Sequence, residues 1–277
     1  MKKGLFKKVI SVLITSVMAV SLAACGNTNN QGEKQSALEK IKASGKFVIG
    51  TSADFPPYEF HKEIDGKDEI VGFDIEIAKA IADALGVKLE IKDMDFEGLL
   101  TALNAGAVDA VFAGMNPTAE RAEKVDFSEI YYMAEQTLLI RAEDKDKYTG
   151  IEALTGLKVG AQKSTIQEDM VTEQIKDAQV VGLAKIPDLV LQLKTGKVEA
   201  VAVENTVADS YAKANSDLTV ATFQFEVPEE EKGAAVAVKK GSDDLVAELN
   251  KILTGLKSEG KIDQFVIDAN ELVEGEE

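Results

Sequence analysis

The 277-residue chain has a single cysteine, a single histidine, no tryptophan, and only two arginines, Arg121 and Arg141, among its 31 basic residues. One cysteine cannot build an internal disulfide framework. With His61 as the sole histidine there is no zinc constellation either, so neither a metal nor a cofactor is expected. Positive charge is also short, because 48 acidic residues leave a formal charge of −17. Phosphate backbones repel a chain that acidic, which excludes nucleic acid as a partner. The apolar run at residues 9–20 is too short to span a bilayer as a stable helix.

That run is preceded by Lys2, Lys3, Lys7 and Lys8 and leads to "LAAC" at residues 22–25, the order of a secretory signal with a lipobox. The pattern resembles that of bacterial lipoproteins, which implies a signal peptide over residues 1–24 and a lipid on Cys25. Removing residues 1–24 takes away four lysines and no acids, so the remainder carries −21 against −17 for the whole chain. An anionic membrane repels such a surface, so attachment falls to the lipid. Residues 25–44 read as lipid anchor and flexible tether, because "NTNNQGEKQS" lacks apolar residues.

The remaining chain alternates strand-like and helix-like segments, the grammar of an α/β fold. "KFVIGTS" reads as a strand, and residues 74–85 place Ile75, Ala78, Ile81, Ala82 and Leu85 on one helical face stopped by Gly86. "VKLEI" is a strand, "FEGLLTALNAG" a short helix, and "VDAVFAG" an apolar strand covered on both faces. The pattern restarts at "LKVGAQ", followed by a helix whose capping box is Ser164 and Gln167. Late in the chain, Ser242 caps a helix striped by Leu245, Leu249, Ile252 and Leu256. Leu103, Gly106, Val108, Asp109, Ala110 and Val111 match Leu193, Gly196, Val198, Glu199, Ala200 and Val201 at a constant offset of 90, which predicts two similar lobes.

Ligands of open α/β sheets bind beyond the carboxyl ends of the strands. Gly114 ends one strand of the repeat, and its counterpart is Glu204. Beyond Gly114 lies Arg121, whose planar fork suits a carboxylate, on a helix capped by Thr118. Opposite charges on facing walls fit a zwitterion, with Arg121 for its carboxylate and Glu204 for its ammonium. Phe55 and Phe96 stand at the same sheet end as candidate pocket walls. His61, in "HKEIDGKDE", reads as a solvated loop residue, and Lys163 as loop or ligand contact.

The segments "GTSADFPPYEF", "IVGFDIEIAKAIADALGV", "DFEGLLTALNAGAVDAVFAGMNPTAERAEKVDFSEIYY" and "GKVEAVAVENTVA" together resemble the polar amino-acid family of bacterial extracellular solute-binding proteins, the receptors of ABC importers. The resemblance implies a two-lobed periplasmic-binding-protein-like α/β fold. Lobe 1 comprises residues 45–139 plus 234–270 and lobe 2 residues 142–231, with crossover hinge strands near 138–142 and 231–236. It implies that Phe55 and Phe96 flank the ligand side chain, that Gly114 and Asn116 bond its backbone groups, and that Arg121, Ser164 and Thr165 hold its carboxylate. Glu204 stands where the family usually has aspartate, and Ser52 where several relatives have an aspartate on the ligand side chain. Asp54 and Glu59 keep a cationic side chain open, with Ser52, Asp54 and Tyr58 as the candidate side-chain pocket. The expected partners are a free polar L-amino acid, neutral or basic, and an ABC permease, at an extracytoplasmic, lipid-anchored location. Binding without catalysis is expected. The alternatives are an arogenate or prephenate dehydratase with Glu204 as general acid, or an amino-acid sensor or adhesin.

Overall fold

A computed structural model describes residues 35–274 of the chain. The expected signal peptide, Cys25 and the first part of the tether lie outside these residues. Among the described residues no helix is long and apolar enough to cross a membrane, and no cluster of acidic, histidine or cysteine side chains could hold a metal ion.

Thirteen strands follow in chain order. They are β1 (Lys46–Thr51), β2 (Asp54–Phe55), β3 (Glu59–Ile64), β4 (Lys67–Val71), β5 (Lys88–Asp93), β6 (Ala110–Val111) and β7 (Val125–Phe127), then β8 (Gln136–Arg141), β9 (Lys158–Gln162), β10 (Gln179–Leu183), β11 (Ala200–Glu204), β12 (Leu218–Val220) and β13 (Ala237–Lys239). They form two sheets of five, β5-β1-β6-β13-β7 and β10-β9-β11-β8-β12, and a meander β2-β3-β4.

The two large sheets repeat one plan. The first three strands of each run parallel, and the fourth arrives from the other lobe and pairs antiparallel. The offset of 90 survives in the pairing: Ala110 and Val111 pair parallel with Ile49 and Gly50, while Ala200 and Val201 pair parallel with Val159 and Gly160. Period-two alternation then sorts side chains to opposite faces. In the first sheet Phe47, Ile49, Ala110, Val236 and Val238 turn to one apolar core, and Val111 and Ala237 to another built around Leu99 and Leu103. In the second, Leu139, Val201 and Val203 oppose Leu138, Ile140, Ala200 and Ala202 in the same way. Helices cover both faces of each sheet, which is why these strands read as near-continuous apolar runs.

Several expectations shift. The crossover lies earlier than residues 138–142, because all of β8 pairs in the second sheet, with β11 on one side and β12 on the other. The chain crosses between the Tyr132–Ala234 bridge and Gln136, and it returns between Phe225, whose N–H meets the Gln136 carbonyl at 2.8 Å, and Ala234. The expected return at residues 231–236 includes that bridge. The tether does not extend to residue 44: Ala37–Ser44 is a helix, started by a capping box of Ser36 and Glu39, with Ile41 buried. At the other end the final helix runs to Glu274, beyond the expected lobe limit of residue 270. His61 sits on strand β3, exposed, with ring nitrogens 2.9 Å from Asp68 and 3.3 Å from Asp93. Ser242 occupies the cap position of helix Asp243–Ser258 without a side-chain cap bond. The capping box at residue 164 moves by one: Thr165 is the cap and accepts from the Glu168 N–H, which frees Gln167 to turn inward.

One glycine fixes the meander to the first lobe. Gly72 has φ 126°, and the backbone around it donates from Phe73 N–H to the Pro57 carbonyl and from Asp74 N–H to the Tyr58 carbonyl, both at 3.0 Å. A Cβ at Gly72 would lie 2.1 Å from the Tyr58 carbonyl oxygen. Replacing Gly72 with alanine is therefore expected to cost about 2–4 kcal/mol of unfolding free energy, measured by urea denaturation, since strain and a backbone clash act together. A loss under about 0.5 kcal/mol, the range of an ordinary surface change, would refute this packing.

Candidate functional site

The carboxyl ends of β1, β6, β9 and β11 converge on a narrow cavity. Ser52, Asp54, Phe55 and Glu59 line it from the β1–β3 segment, Phe96, Gly114 and Asn116 from the rest of lobe 1, and Gln162, Thr165, Gln167 and Ile186 from lobe 2. Of the expected site residues, Ser52, Asp54, Phe55, Phe96, Gly114, Asn116 and Thr165 meet here. Tyr58, Glu204, Arg121 and Ser164 do not line the cavity, and each has a different reason.

Glu204 ends β11 fully buried, and its carboxylate is already supplied with donors. Tyr58 Oη donates to Oε2 at 2.5 Å, while Gln136 Nε2 at 3.0 Å and Asn116 Nδ2 at 3.2 Å donate to Oε1. Burial raises its pKa, and the three donors oppose that shift. Burial together with the Glu204 charge holds the Tyr58 phenol well above its usual value, so it stays a donor. Asn116 also donates to the Gly233 carbonyl at 3.1 Å, so its amide hydrogens are spent. The carboxylate expected to receive an ammonium group thus joins Tyr58 and Asn116 of lobe 1 to Gln136 at the start of lobe 2.

Arg121 lies on helix Ala119–Lys124, capped by Thr118, whose Oγ1 accepts the Arg121 N–H at 3.2 Å. Its guanidinium crosses the cleft at the rim. One nitrogen donates to the Asn116 carbonyl at 2.9 Å and another to the Ser164 carbonyl of lobe 2 at 3.0 Å, while the group stands 5.3 Å over the Phe96 ring. Burial lowers its pKa to about 10, which leaves it protonated at neutral pH. Both acceptors are neutral carbonyls, weaker partners for a guanidinium than a carboxylate would be. Ser164 has φ 63° and contributes this carbonyl; its N–H goes to Glu168 at 2.9 Å. Thr165 Oγ1 donates to the Gln162 carbonyl at 2.6 Å. Gly114, at φ 53°, packs against Phe55 and spends its N–H on Asp74 at 3.0 Å, so it has no free donor for a ligand.

The cavity carboxylates differ sharply. Asp54 accepts from Ser52 Oγ at 3.1 Å, from Gln162 Nε2 at 3.2 Å and from the Ile186 N–H at 3.0 Å. It thereby caps, from lobe 1, the first turn of the lobe 2 helix Ile186–Lys194, which has no side-chain cap of its own. Glu59, 1 % exposed, has no hydrogen-bond donor on either oxygen. Burial pushes its pKa well above the carboxylate range, and Asp74, Asp54 and Glu204 push it the same way. An unpaired buried carboxylate costs several kcal/mol by order of magnitude, so one facing a cavity marks the place where a positive or donating group belongs.

Gln162 and Gln167 were not among the expected contacts, and Glu59 was named only as an acid that keeps a cationic side chain open. The signal for Glu59 was an acid set between aromatics in "YEF", and for Gln162 its place at a strand's carboxyl end.

Two α/β lobes joined by two crossovers, with a polar, aromatic-walled cavity where their sheets meet, define a ligand-binding receptor architecture. The chain belongs to the bacterial extracellular solute-binding proteins, family 3, whose profile matches residues 47–267. It is 36 % identical to the arginine-binding extracellular protein ArtP of Bacillus subtilis (strain 168) over 94 % of this chain and 96 % of that protein. Against the ABC transporter glutamine-binding protein GlnH of the same organism the identity is 34 %, with the same coverage of 94 % and 96 %. Among solved structures, an amino acid ABC transporter substrate-binding protein from Streptococcus pneumoniae Canada MDR_19A bound to L-arginine matches with TM-score 0.83 and 42 % identity, over 86 % of this chain and 98 % of that one.

Replacing Tyr58 with phenylalanine removes the shortest donor to Glu204 while keeping the ring. Chemical denaturation is expected to show a loss of about 1–3 kcal/mol, the cost of leaving a buried acceptor short of one partner. An unchanged midpoint would show that Glu204 does not depend on this bond.

Proposed function

We propose that this chain is the extracytoplasmic receptor of an ABC-type amino-acid importer, and that its ligand is a cationic L-amino acid, L-arginine foremost. The observation that carries the choice of charge is Glu59: an unpaired, buried carboxylate facing a cavity walled by Phe55 and Phe96. Planar aromatic faces and a carboxylate together suit a guanidinium, which stacks and donates at once. The arginine bound in the S. pneumoniae structure and the similarity to the arginine-binding protein ArtP support the same reading.

On this reading Arg121 exchanges its carbonyl acceptors at the cleft rim for the ligand's carboxylate, and lobe closure excludes water around the pair. Lipid on Cys25 tethers the receptor beside its permease. Binding rather than catalysis is the reading we favour. Glu204, the residue a dehydratase would use as general acid, has its carboxyl enclosed by Tyr58, Asn116 and Gln136 and lies off the cavity lining.

Titration calorimetry of residues 26–277 against the common amino acids is expected to give micromolar or tighter binding for L-arginine and weaker binding for L-glutamine. Tighter binding of a neutral amino acid would overturn the choice of charge, and no binding of any would overturn the receptor reading. Arg121→Lys is expected to weaken L-arginine binding more than about tenfold, because an ammonium cannot form the two parallel bonds of a guanidinium. Unchanged affinity would remove Arg121 from the site.

A further inference from the structure

The described part of the chain buries four carboxylates close together: Asp54 on β2, Glu59 on β3, Asp74 on helix Phe73–Leu85 and Glu204 on β11. Donor accounting separates them. Glu204 has three donors and Asp54 has Ser52, Gln162 and the Ile186 N–H. Asp74 has the Tyr131 hydroxyl at 2.7 Å and the Gly114 N–H at 3.0 Å. Glu59 has none. The Glu59 carboxyl instead lies against that of Asp74, a contact that becomes a hydrogen bond only when one of the two carries a proton.

Every titratable group that acts on Glu59 is acidic, or is a tyrosine already donating to one of these acids. Asp74 faces it from the helix, Asp54 from β2 and Glu204 from β11; Tyr58 donates to Glu204 and Tyr131 to Asp74. The cation acting on this group of acids is Lys185, which reaches Asp54 and ion-pairs with Asp95 at 3.4 Å. Arg121 is committed to two backbone carbonyls at the rim. A facing pair of buried carboxyls without a cation cannot hold two full charges.

We infer that the ligand-free cavity carries a proton shared by Glu59 and Asp74, and that a cationic ligand side chain displaces it to solvent, so that ligand uptake and release are coupled to pH. The inference rests on the cationic-ligand reading above. Burial pushes Asp74 up to about 7 and Glu59 well above its usual range.

The sign follows from linkage. In the free protein the raised pKa keeps the proton on below that value. A bound cation favours the ionised carboxylate and lowers it, so between the two values each bound ligand releases a proton. Affinity for a cation therefore rises with pH through this window and levels off above the free-state pKa. The affinity of an uncharged isostere does not follow this course, because a protonated Glu59 can itself donate to a carbonyl oxygen.

The test is calorimetry of residues 26–277 with L-arginine near pH 6.5, in phosphate and in imidazole, buffers whose ionisation heats differ. The slope of observed heat against ionisation heat counts protons, and release of about one half to one per arginine is expected, with Kd rising up to about tenfold per pH unit lost. L-citrulline, the neutral isostere, is expected to release none. Arginine binding in the Glu59→Gln variant is expected to lose the proton release. Arginine binding with equal heats in both buffers would overturn the shared proton and leave the receptor reading standing. Failure of arginine to bind while a neutral amino acid binds would overturn both the shared proton and the cationic reading.

Discussion

Burying a carboxylate requires that something donate to it, and most of the geometry between the two lobes follows from how few donors are available. Glu204 draws Tyr58 and Asn116 from lobe 1 and Gln136 from the crossover into one point. Asp54 reaches the other way, taking the exposed N–H of a lobe 2 helix. Each acid is anchored on one lobe and satisfied in part by the other, so these bonds add a directional polar contact to an apolar cluster that includes residues of both lobes. Breaking such contacts exposes the acids and donors to water, which solvates both well.

The sheets supply the positions. In each, the fourth strand comes from the opposite lobe and pairs antiparallel beside the third. That arrangement puts both crossovers next to the strand ends where ligands bind. The outgoing chain reaches β8 at Gln136, a donor to Glu204, and the returning chain passes Gly233, whose carbonyl accepts from Asn116. The residues that connect the lobes are thus bonded to Asn116, which lines the cavity, and to Glu204, which lies off its lining. Any rearrangement of the cleft reaches the crossovers through Asn116 and Gln136, without an intermediate layer.

The fold was largely legible because it depends on local pattern. Apolar alternation marked the strands, Gly86 and Gly106 marked helix ends in left-handed conformations, and the offset of 90 marked equivalent strands that pair identically. The candidate site was legible in part: Phe55 and Gly114 line the cavity as expected, whereas Glu204, at the end of β11, does not. Their partners were not legible, because hydrogen bonds between residues far apart in the chain leave no local periodicity. Tyr58 and Glu204 are 146 residues apart, and Asn116 and Glu204 are 88 apart. Glu59 was missed as a principal contact for a further reason. The segment after it looked like a polar loop, yet it belongs to the meander, whose middle strand begins with Glu59 buried and continues into exposed, charged residues. Exposure at His61 hid burial two residues earlier.

Glu204 owes its partners to the length of its side chain. Aspartate at this strand end would stop one methylene short, by about 1.5 Å, and its oxygens would stay near β11. The longer side chain sets Oε2 at 2.5 Å from the Tyr58 hydroxyl and Oε1 within reach of two amides. That geometry converts a carboxylate facing a ligand into one facing protein donors from both lobes. Glu59, on lobe 1, is left with no donor on either oxygen. Lobe 2 then contributes amides, such as Gln162, and a helix end already held by Asp54. The buried carboxylates thus divide: Glu204 and Asp54 take donors from both lobes, and Glu59 is the one without a protein donor, the carboxylate to which the proposed reading assigns the ligand's charge.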